Sequence, residues 1–80
     1  MRKKPRREDI YELVSKNIKY QRKKKKLTQA QLAEKAGYSH VSIRKMESKK
    51  TKKYFSIDTI SNIADALDID IKELFKKSGE

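Results

Sequence analysis

The sequence predicts an all-α fold of five short helices in one small domain. Apolar residues recur at spacings of three and four in successive segments of the 80-residue chain, as on one face of an α-helix. A Ser, Thr or Asp stands before each of the last four segments, where it can act as an N-cap. With 35% hydrophobic residues, the chain can form one compact core but has no room for a buried catalytic cavity.

The first helix is predicted from about residue 9 to about residue 25. Glu8 and Asp9 suit a first helical turn, where negative charge is favoured. The residues that follow helical spacing after them are Ile10, Leu13, Val14, Asn17, Ile18 and Gln21. The basic run from Arg22 to Lys26 ends this segment, and its positive charge complements the negative end of the helix dipole.

Two short helices joined by a tight turn are predicted between residues 28 and 47. Thr28 is a good N-cap, and Gln31 stands at the position that completes a capping box. This helix ends at Gly37, which adopts a positive φ without steric cost. Ser39 then caps a second helix of roughly eight residues.

The second helix of this pair has an inward and an outward face. The inward face is predicted to hold Ile43, Met46 and Glu47. Pairs of residues four apart form the outward face, which consists of His40, Val41, Arg44 and Lys45. The small Ala33 and the turn at Gly37 allow the two helices to cross closely at a steep angle, as a helix-turn-helix requires.

This segment resembles the helix-turn-helix of the Cro and phage-repressor type, also called the XRE family. The resemblance runs from about Arg22 to Phe75 and is carried by Leu27-Thr28-Gln29, Ala33, Gly37, Ile43 and Met46. It implies a five-helix, phage-repressor-like DNA-binding domain over residues 9–77, with the helix-turn-helix at about residues 29–48. It also implies a largely buried ion pair between Arg22 and Glu47.

The resemblance also implies DNA contacts, position by position. They fall on bases for His40, Val41, Arg44 and Lys45, and on the DNA backbone for Gln29 and Ser39. Arg44 could serve in either role. The side-chain chemistry agrees, since His40 and Lys45 can hydrogen-bond base edges and Val41 can contact a thymine methyl group. An ordinary amphipathic helix with a solvated face is the alternative.

A lysine-rich loop is predicted after Glu47. We interpret Lys50, Lys52 and Lys53 as DNA-backbone contacts, which set register and affinity without reading sequence. The family usually has glycine where Lys49 stands, so this loop departs from the family pattern.

Two further helices are predicted in the C-terminal third. Ser56 caps the fourth helix, which ends near Asp68, a residue that tolerates the left-handed conformation. Asp70 caps a short fifth helix, in which Glu73 stands at the capping-box position and Phe75 adds a large apolar face. The buried stripe of the fourth helix is predicted to be Ile57, Ile60, Ile63, Ala64 and Leu67.

Charge is strongly polarised along the chain. The formal net charge is +11, with a balance of +14 over residues 1–55 and of −3 over residues 56–80. Such a basic region is typical of proteins that bind nucleic acid, and solubility alone is the alternative. The basic arm, residues 1–8, is expected to be disordered in isolation. It could follow phosphates or enter a minor groove, or it could be a solvated tail.

Other functional classes find little support. The chain has no cysteine and a single histidine, which excludes thiolate and histidine-rich metal sites. No nucleophile–base pairing or phosphate-cradling glycine pattern is present, and no apolar run approaches the length of a membrane span. We therefore expect no enzymatic activity, cofactor, metal, small-molecule ligand or membrane contact, and a cytoplasmic location.

These features predict a sequence-specific DNA-binding transcriptional regulator, a repressor or controller that binds a two-fold operator as a homodimer. Candidate dimer surfaces are Tyr54/Phe55 and the exposed edge of residues 69–75. One alternative is an antitoxin or other protein-interaction module with secondary DNA binding. A non-specific basic nucleic-acid-binding protein is another, although the scattered aromatic residues argue against stacking on RNA.

Overall fold

A computed structural model describes the backbone of residues 7–48 and 56–77 and the side chains of residues 10–48 and 56–77. All regular structure in these two segments is helical, which confirms the predicted all-α fold. The α-helices are α1 (Arg7–Lys24), α2 (Gln29–Ala36), α3 (His40–Glu47) and α4 (Ile57–Leu67), and a 3-10 helix follows at Ile71–Phe75. Helix α1 therefore begins two residues earlier than predicted and includes the last two residues assigned to the basic arm.

The predicted N-caps begin the helices as expected. The Thr28 hydroxyl accepts from the Gln31 amide at 3.0 Å, and the Gln31 side chain accepts from the Thr28 amide at 2.8 Å, which completes the capping box of α2. Ser39 caps α3 and Ser56 caps α4, each by accepting an amide hydrogen bond three residues on. These bonds satisfy amides that have no partner within their helix.

Three helices end in the same left-handed turn. The left-handed residues are Lys26 (φ 61°), Gly37 (φ 79°) and Asp68 (φ 58°). In each case the next residue donates its amide to the carbonyl five residues earlier, at 2.9–3.0 Å, which closes the turn. The turns at Gly37 and Asp68 were predicted from the sequence, whereas the turn at Lys26 was not.

The core lies where α1, α2, α3, α4 and the 3-10 helix meet. Its largest fully buried side chains are Val14, Ile18, Leu32, Ile43, Ile63, Leu67 and Leu74. Ile60 and Ala64 are buried as predicted, but the prediction for Ile57 is wrong, since this side chain is 66% exposed. Ile57 is the first residue of α4. Ile10, in the first turns of α1, is also exposed.

The fifth helix differs from its prediction in type and in its cap. It is a 3-10 helix, and the Asp70 side chain accepts from the Lys72 amide at 3.0 Å. Glu73 does not complete a capping box, because its carboxylate pairs with Lys76 at 3.0 Å. Asn17 of α1 donates to the Leu74 carbonyl at 2.9 Å, which holds the 3-10 helix against α1. The large apolar face expected from Phe75 stays partly in solvent.

Within residues 7–48 and 56–77, no helix combines the length and apolar character that crossing a membrane requires.

Candidate nucleic-acid interface

Helix α3 presents a four-residue outer face to solvent, formed by His40, Val41, Arg44 and Lys45. The opposite side of α3 is buried at Ile43 and Glu47 and half-buried at Met46. The predicted orientation of both faces is therefore confirmed, while contact of the outer face with DNA stays a prediction. This face therefore carries two positively charged side chains (Arg44 and Lys45), one apolar side chain (Val41) and one imidazole (His40).

A buried ion pair joins the end of α1 to the end of α3, as predicted. Arg22 Nε donates to Glu47 Oε2 at 2.7 Å, and Arg22 Nη2 donates to Glu47 Oε1 at 3.0 Å. The two side chains are only 9% and 3% exposed. Such a bidentate pair restricts both the separation and the relative rotation of the groups that it joins.

Gln29 extends this pair across the two helices of the motif. Its Nε2 donates to Glu47 Oε1 at 3.0 Å, while its Oε1 lies 3.4 Å from Nε2 of His40. The amide therefore links the buried carboxylate to the first residue of α3. Gln29 was predicted to contact the DNA backbone, and that contact stays a prediction. The structure adds two intramolecular partners that were not predicted.

Two serines support the ends of α3. The Ser39 hydroxyl caps the helix and also bonds to the Ser42 hydroxyl at 2.9 Å. At the other end, the buried Ser15 of α1 donates from its hydroxyl to the Met46 carbonyl. Sequence reasoning missed Ser15, although its position one residue after Val14 puts it beside the apolar stripe of α1. Its polarity there was the available signal.

A second group of exposed positive charges lies at the C-terminal end of α1. Lys23, Lys24, Lys25 and Lys26 are all exposed at the C-terminal end of α1, immediately before α2. An open groove separates Lys24 and Lys25 from Asp70 and Glu73 of the C-terminal segment. Basic residues of the first half of the chain and acidic residues of the second half thus line the same groove.

Several predicted site residues lie outside the described segments. They are the predicted backbone contacts Lys50, Lys52 and Lys53, the candidate dimer residues Tyr54 and Phe55, and residues 1–6 of the basic arm. The second candidate dimer surface is described: Ile69 and Ile71 are half-buried against the core, and Phe75 is 39% exposed.

Known proteins share both the motif and the fold. A family model described as helix-turn-helix matches residues 18–74. A hypothetical transcription factor, NHTF from Neisseria, has a similar structure, with a TM-score of 0.80 at 19% identity over 98% of this chain and 87% of that chain. The restriction-modification controller protein C.AhdI from Aeromonas hydrophila gives a TM-score of 0.73 at 28% identity, over 81% of this chain and 96% of that chain. No curated protein matches the sequence.

Proposed function

Because this chain belongs to the XRE-type helix-turn-helix family, we propose that it acts as a sequence-specific regulator that recognises a two-fold operator. Membership of this family supports DNA binding and a role in the regulation of transcription. The proposal adds a defined operator, a homodimeric state, and the role of repressor or controller. It assigns the protein to the cytoplasm and gives it no enzymatic chemistry.

The observation that carries the proposal is an exposed outer face on a rigidly held helix. The outer face of α3 is in solvent along its whole length. Behind it, α3 is attached to α1 through the Arg22–Glu47 pair and to α2 through Gln29. A helix that enters a major groove must hold its side chains in register with base edges, and a fixed support provides that register.

The outer face has the chemistry to distinguish base pairs. Lys45 and Arg44 can donate to guanine O6 and N7, and Val41 can pack on a thymine methyl group. The contact between Gln29 and His40 restricts rotation of the imidazole, so less side-chain entropy is lost when His40 binds a base edge. Gln29 also stands at the start of α2, where its remaining amide hydrogen can reach a phosphate.

A homodimer follows from the small number of base pairs that one helix can read. Two copies related by a two-fold axis double the reading surface and match a palindromic operator. The 28% identity to a restriction-modification controller protein supports the controller role. We propose Tyr54/Phe55 and the edge of residues 69–75, where Phe75 is exposed, as the dimer surfaces.

The test is fluorescence anisotropy with DNA from upstream of the protein's own gene and a scrambled duplex of equal length, at several salt concentrations. We expect a preference of about 10³-fold or more for the native duplex near physiological salt. If both duplexes bind alike and weaken together as salt rises, selection from a random DNA pool follows. Enrichment of no sequence in that pool would refute a specific operator and favour purely electrostatic binding.

The dimer has its own test. Sedimentation should give two protomers on a palindromic duplex. A single protomer, both free in solution and on that duplex, would refute the dimer.

A further inference from the structure

The turn at Lys26 is the least expected of the three left-handed helix ends. Gly37 accepts a positive φ at no steric cost, and nothing stands within 4 Å of a Cβ built there. Asp68 has a short polar side chain of the kind that tolerates this conformation. Lys26 has neither advantage, since its Cβ is strained and its side chain is long and flexible.

The backbone around Lys26 is held in place by Arg22. The Leu27 amide donates to the Arg22 carbonyl at 3.0 Å, and the Leu27 carbonyl accepts from Arg22 Nη1 at 2.7 Å. The same guanidinium forms the buried pair with Glu47 of α3. The position of Lys26 is therefore coupled to α3 through one side chain. The surrounding hydrogen bonds hold its strained conformation in place.

Within the described segments, the Lys26 ammonium group makes none of the contacts described for Lys24 and Lys25. Lys24 and Lys25 border the groove opposite Asp70 and Glu73, and Lys24 also lies over the Tyr20 ring. Lys26 does not line that groove, and within the described segments no carboxylate forms an ion pair with it. Its side chain is exposed, two residues before the N-cap of α2.

We propose that Lys26 is a phosphate contact of the DNA complex, in a position where stability alone would favour glycine. The inference rests on the proposed function in one respect, because it assumes that α3 and the start of α2 face DNA. A lysine at this corner adds a cation beside the α2 N-terminus, where amide groups and positive dipole already favour an anion. The contact contributes affinity and salt dependence, and it reads no sequence.

The experiment compares Lys26→Gly with the wild-type chain in stability and in DNA binding. Removing the Cβ from a left-handed residue should raise the Tm by roughly 4–8 °C. The same substitution should lower the slope of log K against log salt by about one on native and scrambled duplexes alike. A variant that is more stable and yet binds DNA more weakly excludes misfolding as the cause.

Three variants of the same chain serve as controls. Asp68→Gly relieves the matching turn at the end of α4 and should raise the Tm without lowering the salt slope. Lys26→Arg keeps the charge and should bind DNA like the wild type. Lys25→Ala removes one charge from the adjacent residue, which borders the groove, and should lower the slope by less than about half a unit.

The proposal is overturned if Lys26→Gly keeps the wild-type salt slope, or if Lys25→Ala lowers the slope as much as Lys26→Gly does. It is also overturned if the Tm of Lys26→Gly does not rise. If the proposed recognition of a specific operator is wrong, the result is different, because the wild-type chain then binds the native and scrambled duplexes equally. The slope change at Lys26 can still be measured in that case, since a phosphate contact acts on any duplex.

Discussion

The segment from the end of α1 through α3, residues 22–47, and the C-terminal segment, residues 57–75, use the same local interactions but are held in place differently. In each segment one α-helix, α2 or α4, begins at a hydroxyl N-cap and ends in a left-handed turn. The first segment is joined across its helices by the Arg22–Glu47 pair and by Gln29. The second is held by buried apolar side chains, among them Ile63 and Leu67, and by the neutral hydrogen bond from Asn17 to the Leu74 carbonyl.

This difference shows that the formation of a helix and its orientation in the fold have separate causes. Caps and periodicity produce a helix in either segment. Apolar packing is non-directional and tolerates small shifts, whereas hydrogen-bonded charges accept only a narrow range of distance and angle. The buried, hydrogen-bonded charge pair lies behind α3, whereas the C-terminal segment has the neutral hydrogen bond from Asn17 to the Leu74 carbonyl.

The largest expected effect tests the buried pair. Glu47→Ala leaves the Arg22 guanidinium buried without its partner, so the free energy of unfolding should fall by about 3–5 kcal/mol in urea denaturation. Glu73→Ala, which breaks the exposed pair with Lys76, is the matched control and should cost only about 0–1 kcal/mol. Similar losses in the two variants would show that the two segments are not held differently.

A replacement of both charges sharpens the same point. Arg22→Met combined with Glu47→Leu should recover much of the stability that Glu47→Ala loses, because no buried charge is left unpaired. DNA selectivity should not recover with it, since the directional support of α3 is gone. Full selectivity in the double variant would mean that apolar packing orients α3 as well as the Arg22–Glu47 pair does.

The second prediction concerns the apolar segment. Ile63 is fully buried, so Ile63→Ala should lower the free energy of unfolding by about 2–5 kcal/mol through lost burial and a residual cavity. Ile57→Ala, on the same helix, should change it by no more than about 0.5 kcal/mol, because Ile57 is 66% exposed. Chemical denaturation of both variants measures the difference. A large loss at Ile57 would reveal a partner that covers it.

The third prediction separates base reading from backbone binding. Lys45→Ala should weaken binding by roughly 1–3 kcal/mol at one operator position and relax selectivity there. Lys52→Ala, at a position outside the described segments, should instead weaken all duplexes alike and lower the salt slope by about one. Anisotropy on cognate and scrambled duplexes distinguishes these outcomes. Equal effects of the two substitutions on both duplexes would contradict the assigned roles.

The smallest expected effect tests what the two segments share. Thr28→Ala and Ser56→Ala each remove an N-cap acceptor, and each should lower the free energy of unfolding by about 1 kcal/mol. Thermal unfolding of the two variants gives the comparison. A much larger loss in one segment would mean that its cap does more than begin a helix.

Most of the local structure could be predicted because its causes are local. The capping box of Thr28 and Gln31, the N-caps Ser39 and Ser56, and the turn at Gly37 depend on residues within a few positions of one another. The prediction was wrong at Ile57, because helical periodicity cannot tell where neighbouring helices stop covering a face. The turn at Lys26 was missed because lysine has no preference for a positive φ.

The candidate site was predictable as a set of residues but not as a connected structure. The spacing of α3 correctly indicated its outer face, and the family resemblance implied the Arg22–Glu47 pair. No pattern in the sequence indicated that Gln29 joins Glu47 to His40, since these residues are 18 and 11 positions apart from it. Such a contact depends on the crossing of α2 and α3.

By itself, the sequence determined the helices, their caps, the polarity of each face and the segregation of charge, because these follow from short-range sterics, hydrogen bonding and composition. The tertiary structure alone decided which polar side chains meet, which apolar residues stay in solvent, and where strain is held. The physical reason is that long-range contacts depend on the relative placement of helices, which emerges only when the whole core packs.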